Sequence, residues 1–425
     1  MFHINHTSDL LFGGGFGLEK ESLRINGQGY FARSAHPFPD SPYIVRDFCE
    51  NQLEINTGVS PDAEGAIREL EKHTEEVLRV LDSLDEPEYL WRFSNPPYIK
   101  AENDIPVAQF TGKLLDKTIY RNYLSKAYGK YKMTLSGIHV NYSFSDELLQ
   151  KEFALSGERN YRDFKDSVYL HLAKNLTVYG WLVTLLLASS PLSDSSYFTR
   201  GELGKDAFVG MASVRCSEIG YWNNFTPILD YDSVHSYAES IRDYIHRGLI
   251  KSQTELYYPI RLKPKGENKL ETLEENGINH IEIRNVDLNP FEFAGLDLRD
   301  LKFIQLLILF SVCQPAFQLT KEVQKNAVNH FKKAAHYDIN STLITMPDAQ
   351  PESIKNAALK ILDRMDTFFK DISADAKEII AYQKDKLLIH ENRYAVKVLK
   401  QFSDGYVKKG IALAKNTKSP CLNDH

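Results

Sequence analysis

Four short segments of this chain read as strands with one apolar face and one face of acids, histidine or arginine. In Gly17-Leu18-Glu19-Lys20-Glu21-Ser22-Leu23-Arg24-Ile25, period-two alternation puts Glu19, Glu21, Leu23 and Ile25 on one side. Across residues 47–56 it groups Glu50, Gln52 and Glu54 against Cys49, Leu53 and Ile55. Across residues 134–144, His139, Asn141 and Ser143 oppose Ile138, Val140, Tyr142 and Phe144. Across residues 278–284, His280, Glu282 and Arg284 oppose Ile281 and Ile283. One histidine on a strand is usually structural, and one Glu-x-Arg is usually a surface ion pair. Four such strands together point to a single sheet whose inner face is a site. Same-face carboxylates on neighbouring positions repel each other, and burial tolerates them when a cation lies between. Hard divalent ions such as Mg²⁺ take oxygens of this kind, with phosphate completing the shell.

Elsewhere the period is helical. Ser60-Pro61-Asp62-Ala63-Glu64 predicts a helix start, with Ser60 as N-cap and Pro61 at the first position. Ile67, Leu70, Thr74, Val77, Leu78 and Leu81 follow at helical spacing. Residues 161–189 predict a helix ending at Ser189-Ser190-Pro191. After residue 297 strand patterns stop, and helices are predicted over 298–325, 351–371, 374–388 and 391–415. No repeat and no Pro/Gly/Ser linker divides the chain. The expectation is one catalytic unit over 1–425: a mixed sheet and helix part (1–297) with a mainly helical part (298–425) packed on it. Gly13-Gly14-Gly15-Phe16-Gly17 lacks both the Walker Gly-Lys-Ser/Thr and a third Rossmann glycine before a helix, and leads into a strand instead.

Composition narrows the class. A net charge of −6 over 425 residues argues against a nucleic-acid binder held by bulk electrostatics. The longest apolar runs, 181–188 and 303–313, fall short of the ~18–20 residues a membrane helix needs. Residues 1–6 lack the basic and apolar regions of a signal peptide. Cys49, Cys216, Cys313 and Cys421 are scattered, with no Cys-x-x-Cys spacing. Reduced thiols in a cytoplasmic protein are the simplest account.

Several segments, in order, resemble the bacterial glutamate–cysteine ligases (γ-glutamylcysteine synthetases). They are Gly17-Leu18-Glu19-Lys20-Glu21, residues 47–54, Ser136-Gly137-Ile138-His139-Val140-Asn141, Ser213-Val214-Arg215 through Gly220-Tyr221, Glu255-Leu256-Tyr257, and Ile281-Glu282-Ile283-Arg284 with Asp287-Leu288-Asn289-Pro290-Phe291. The resemblance implies an α+β fold: a glutamine-synthetase-like curved, mostly antiparallel sheet forming the active site, flanked by helices, with a helical C-terminal region. It implies that Glu19, Glu21, Asp47, Glu54, His139 and Glu282 hold Mg²⁺ (or Mn²⁺). Arg284 and Glu282 would be catalytic, Arg284 and Glu255 would meet the ATP co-substrate, and Tyr221 and Arg215 would face the amino acids. The implied reaction joins the γ-carboxylate of L-glutamate to the amine of L-cysteine through γ-glutamyl phosphate, the first step of glutathione biosynthesis. A separate glutathione synthetase is expected downstream. The alternatives are a ligase of the same fold with another acceptor amine, a metal-dependent hydrolase, and a non-catalytic nucleotide-binding regulator. An acyl phosphate needs an enclosed site; the loops 190–206 and 262–272 are the expected covers, with Lys263, Lys265 and Lys269 read as solvated charges.

Overall fold

Strand β1 (Gly14–Ile25) organises the molecule. It pairs antiparallel with β3 (Gln52–Asn56) on one side and β5 (Ile138–Phe144) on the other. With β2 (Ile44–Arg46), β8 (Ile260–Lys263) and β9 (His280–Val286), the order across the sheet is β2-β3-β1-β5-β9-β8, and the short β4 (Tyr89–Leu90) also pairs with β1. A separate ribbon joins β6 (Leu192–Asp194) to β7 (Asp206–Phe208). This computed structural model describes residue 2 and residues 7–417. The reading of residues 1–6 (Phe2 apart) and of Cys421 lies outside the described residues.

Alternation explains the layering. One face of the sheet sends Leu18, Leu53, Ile55, Val140, Tyr142, Ile281 and Ile283 into the larger core, against helices that include Ala63–Asp82, Tyr161–Tyr179 and Leu298–Cys313. The opposite face carries the acids. It does not stay polar: Leu23 and Ile25, two and four residues beyond Glu21, join a second apolar cluster with Trp91, Leu124, Met133 and Tyr257. The site therefore lies between two cores, and those cores fix the rotamers around it.

The predicted helices form, with changed ends. The first begins at Ala63 with Asp62, not Ser60, as its cap: the Asp62 carboxylate accepts Gly65 N–H, while Ser60 bridges β1 at Phe16. The 161–189 helix is two, Tyr161–Tyr179 and Trp181–Leu187, bent by 50° at Gly180. A Cβ at Gly180 would lie 2.6 Å from Leu176 O and 2.8 Å from the Phe331 ring. The 298–325 helix also splits, into Leu298–Cys313 and Lys321–Ala334. Pro315 lies in the break, where it disfavours a helical predecessor and offers no N–H. No single helix among the described residues is long and apolar enough to cross a membrane.

Candidate active site

Strand register brings the acids together. Glu21 stands opposite Glu54 across β1–β3, and Glu19 stands opposite His139 across β1–β5. Asn141 stands opposite Glu282 across β5–β9, and Glu282 opposite Arg261 across β9–β8. A register shift between Ile138 and Val140 interrupts the β5–β9 ladder beside His139. There the Arg284 guanidinium comes within 3.2 Å of His139 Nδ1.

The resulting face is bipolar. Its acid half holds Glu19, Glu21, Asp47 and Glu54; its basic half holds Arg261, Lys263 and Arg284. His139 and Glu282 lie between. Glu282 is almost fully buried, with Arg284 Nη1 at 3.1 Å, Lys263 Nζ at 3.4 Å and Arg261 Nη1 at 3.7 Å. Burial opposes its ionisation, but Arg284, Lys263 and Arg261 together hold its carboxyl well below the usual range. Glu19 behaves likewise: burial works to raise it, and the hydrogen bond with His139 leads the effects that bring it below normal. In the other acids burial and like charges outweigh the cations, and the shift is the other way. Burial, and then Asp47, push Glu21 up to about 7. Burial raises Asp47, and burial followed by Asp47, Glu19 and Glu21 raises Glu54 well above the carboxylate range. Without a cation Glu21, Asp47 and Glu54 hold a proton more readily than usual, while Glu19 does not.

The donor set fits a hard divalent cation. Glu19, His139 and Glu282 each offer a ligand atom within 4.8 Å of the others. Burial and Arg284 push His139 down to about 4, so its ring is neutral near pH 7. With its proton on Nδ1 it donates to Glu19 Oε2 at 2.9 Å. That leaves Nε2 as a lone pair 3.7 Å from Glu21 Oε1. His139 Nε2, Glu282 Oε2 and Asn141 Oδ1 are buried without a hydrogen-bond partner. Such atoms are costly unless something fills the space. A second cluster, His235, Glu239 and Glu274, is on the surface and already neutralised by Arg242.

Two cavities meet at this face. The larger holds the acids and Arg284; the smaller is walled by Arg215, Cys216 and Trp222. Arg284, Tyr221 and Tyr257 line both. Arg215 and Tyr221 thus lie beside the acid site. Arg215 is braced by the carbonyl of Arg284 at 2.9 Å, and Gly137 is required beside it: a Cβ there would fall 2.2 Å from Arg215 Cζ.

Several expectations change. Glu50 precedes β3 rather than sharing its alternation; Arg46 binds its carboxylate at 2.9 Å and Gln109 N–H donates to it at 3.1 Å, outside the acid cavity. Gln52 keeps its strand position but donates to Ser136 Oγ at 3.3 Å. Glu255 does not reach the site either: Tyr123 OH and Tyr128 OH donate to one oxygen, and Lys251 N–H to the other. Lys263 is no solvated charge, since it lies on β8 against Glu282. The stretch 190–197 is buried structure rather than a cover. Helix Leu115–Tyr128, which carries Tyr120, Arg121 and Leu124 over the acid cavity, takes that place together with Thr254. The residues Ile260-Arg261-Leu262-Lys263 alternate like the other site strands, so the signal for Arg261 and Lys263 is present in the sequence.

Comparison with known proteins identifies the family. The glutamate–cysteine ligase family model matches residues 1–248 and 245–334. The bifunctional glutathione biosynthesis protein of Listeria monocytogenes is 35% identical over 96% of this chain and 54% of its own length. The glutamate–cysteine ligase of Clostridium acetobutylicum is 30% identical over 89% of this chain and 88% of its own. The crystal structure of the Francisella tularensis glutamate–cysteine ligase in complex with AMP superposes with a TM-score of 0.83, over 96% of this chain and 90% of that one, at 22% identity. The chain spans about half the length of the bifunctional relatives it matches.

Proposed function

Since the chain belongs to the glutamate–cysteine ligase family, we propose that it joins the γ-carboxylate of L-glutamate to the amine of L-cysteine at the expense of ATP, with γ-glutamyl phosphate as intermediate. The observation that carries this reading is the bipolar face: an acid half for cations beside a basic half for phosphate, opening into a second cavity with Arg215 in its wall. A hydrolase needs no second amino-acid cavity, and a regulator needs no buried cluster of like charges.

Glu19, Glu21, Asp47, Glu54, His139 and Glu282 are the residues that would hold Mg²⁺ or Mn²⁺. Such ions neutralise phosphate charge and orient the nucleotide for in-line transfer. The chain's own groups supply the rest. Arg284, held charged by Glu282, Glu19 and Glu21 against the effect of burial, stabilises charge on the phosphoryl group as it moves. Lys263 and Arg261 extend that positive wall. A γ-carboxylate oxygen of glutamate attacks the terminal phosphorus and ADP leaves. The acceptor amine then attacks the acyl carbon, phosphate departs with the carboxylate oxygen, and the amine loses a proton. Arg215 pairs with an amino-acid carboxylate and Tyr221 hydrogen-bonds the acceptor. Tyr120, Leu124 and Tyr257 exclude water from the acyl phosphate.

The nucleotide assignment draws support from the AMP held by the Francisella relative. We place 1–425 in one catalytic unit, 1–297 with 298–425, acting in the cytoplasm within glutathione biosynthesis. The Listeria relative is itself bifunctional, so the expectation of a separate downstream synthetase draws no support from it. The test is incubation with ATP, Mg²⁺ and glutamate, with cysteine, 2-aminobutyrate, glycine or ammonia in turn, measuring ADP and product mass. Cysteine should give most product, with 2-aminobutyrate next. A thiol-to-methyl change in a small pocket costs only ~1–3 kcal/mol. Preference for glycine or ammonia overturns the named acceptor; ADP release indifferent to every amine overturns the ligase.

A further inference from the structure

Just past Val286, the last residue of β9, lies a buried carboxylate that the mechanism above leaves unused. Asp287 is 2% exposed. One oxygen accepts Ser189 N–H at 3.0 Å and Ser190 Oγ–H at 2.7 Å; the other accepts Ser213 Oγ–H at 3.0 Å. Ser213 Oγ in turn accepts Cys216 N–H at 3.1 Å. Asp287 is thereby tied to the start of the turn that carries Arg215 and Tyr221. That turn is tight. Tyr221 N–H donates to Arg215 O at 2.9 Å, and a Cβ at Gly220 would sit 2.0 Å from the same oxygen. Arg215 returns to β9, donating to Arg284 O at 2.9 Å and Val286 O at 3.5 Å. A closed circuit therefore runs from the phosphoryl-side strand through Asp287 to the loop that walls the smaller cavity, and back.

We propose that Asp287 is a positioning residue, which through Ser213 and the Cys216 amide holds Arg215 and Tyr221 at the amino-acid cavity. The inference rests on the ligase reading above. Asp287 touches no substrate. Its carboxylate provides only acceptors, and three N–H and O–H donors from two separate segments converge on it, with the Cys216 thiol at 4.0 Å as a weaker fourth. An amide in its place has one oxygen and one N–H₂ group. With its oxygen towards Ser189 N–H, its N–H₂ group faces Ser213 Oγ, which already accepts Cys216 N–H, so the Ser213 side of the circuit must slacken. The phosphate and acid half of the site, built on the strands themselves, stays in place. The expected signature is a loss of amino-acid affinity with nucleotide affinity unchanged.

Trp222 lines the smaller cavity while Trp91 and Trp181 are fully buried, so tryptophan fluorescence reads that cavity directly. The full chain with Mg²⁺ and a non-hydrolysable ATP analogue is titrated with glutamate and with 2-aminobutyrate, and the nucleotide analogue is titrated separately. Asp287→Asn and Ser213→Ala should each raise an amino-acid Kd at least ~10-fold, with the nucleotide Kd within about twofold. Ser189→Ala is the control. Its hydroxyl binds Leu288 O rather than Asp287, so it should lower the melting temperature without moving either Kd. If Asp287→Asn does not fold, Ser213→Ala carries the test. Unchanged amino-acid Kd in the folded variants, or a parallel fall of amino-acid and nucleotide affinity, overturns the proposal while leaving the ligase reading intact. A wild-type chain whose fluorescence responds to neither amino acid overturns both.

Discussion

Glu54 shows how this site differs from an ordinary buried face. It stands opposite Glu21 with Asp47 beside it, and burial with those neighbours raises its carboxyl well above the usual range. Glu54→Gln replaces an anionic metal oxygen by a neutral amide. Glu54→Gln and Glu19→Gln are expected to lower turnover by at least ~10²-fold and to reduce the rise in melting temperature that Mg²⁺ gives the wild type. Glu50→Gln, whose carboxylate serves Arg46 outside the cavity, should change neither. Turnover by Glu54→Gln close to wild type at saturating Mg²⁺ would count against its place in the metal set. Arg284 is separable by kinetics. Arg284→Ala should reduce kcat more than it raises KM for glutamate, and Arg284→Lys should restore only part, because an ammonium lacks the planar fork. A change confined to KM would make Arg284 a substrate clamp.

Elements explain what the sequence discloses and what it hides. Glu19, Glu21, Glu54, His139, Glu282 and Arg284 are readable because period-two alternation is set within one strand and needs no partner. Glu50 is misplaced for the same reason: alternation extrapolated through residues 47–51, which form a turn before β3. Arg261 and Lys263 sit on a strand of only four residues, too short to stand out. The cover, helix Leu115–Tyr128, is hidden more deeply. It buries only Thr118 and Leu124, so its apolar period is weak. Glu255, quoted within a motif, owes its place to the Tyr123 and Tyr128 hydroxyls, a tertiary fact no spacing encodes. Among the helices, Lys321–Ala334 offers a pH test. Burial, and then Lys333, push His330 down to about 4 from 6.5. A depressed histidine contributes stability that is present above pH 6.5 and lost as pH falls through about 4. The loss is at most ~3 kcal/mol. His330→Gln should flatten that limb of the stability profile; an unchanged limb would show the site to be better solvated than its burial indicates.

At the scale of the whole molecule, helices of the C-terminal part are tied to one another through a buried polar cluster. Lys386 Nζ lies 2.5 Å from Asp300 Oδ1, both nearly inaccessible, and Gln383 and Tyr394 also donate to Asp300. Lys386→Met leaves Asp300 without its counter-charge and should cost ~3–5 kcal/mol in urea unfolding, with Lys386→Met/Asp300→Leu recovering part of the loss. A cost below ~1 kcal/mol would mean that Gln383 and Tyr394 suffice. The two cavities meet on one face of the sheet, so the proposed reaction would activate a carboxylate in one and capture it in the other. That event leaves an atomic trace. With both γ-carboxylate oxygens of glutamate labelled with ¹⁸O, attack on ATP and departure of the acyl phosphate must carry one labelled oxygen into each phosphate released, and leave the other in the peptide carbonyl. Mass analysis of phosphate formed with ATP, Mg²⁺ and cysteine should show one ¹⁸O per phosphate. Unlabelled phosphate, with its oxygen drawn from water, would contradict carboxylate activation on this sheet.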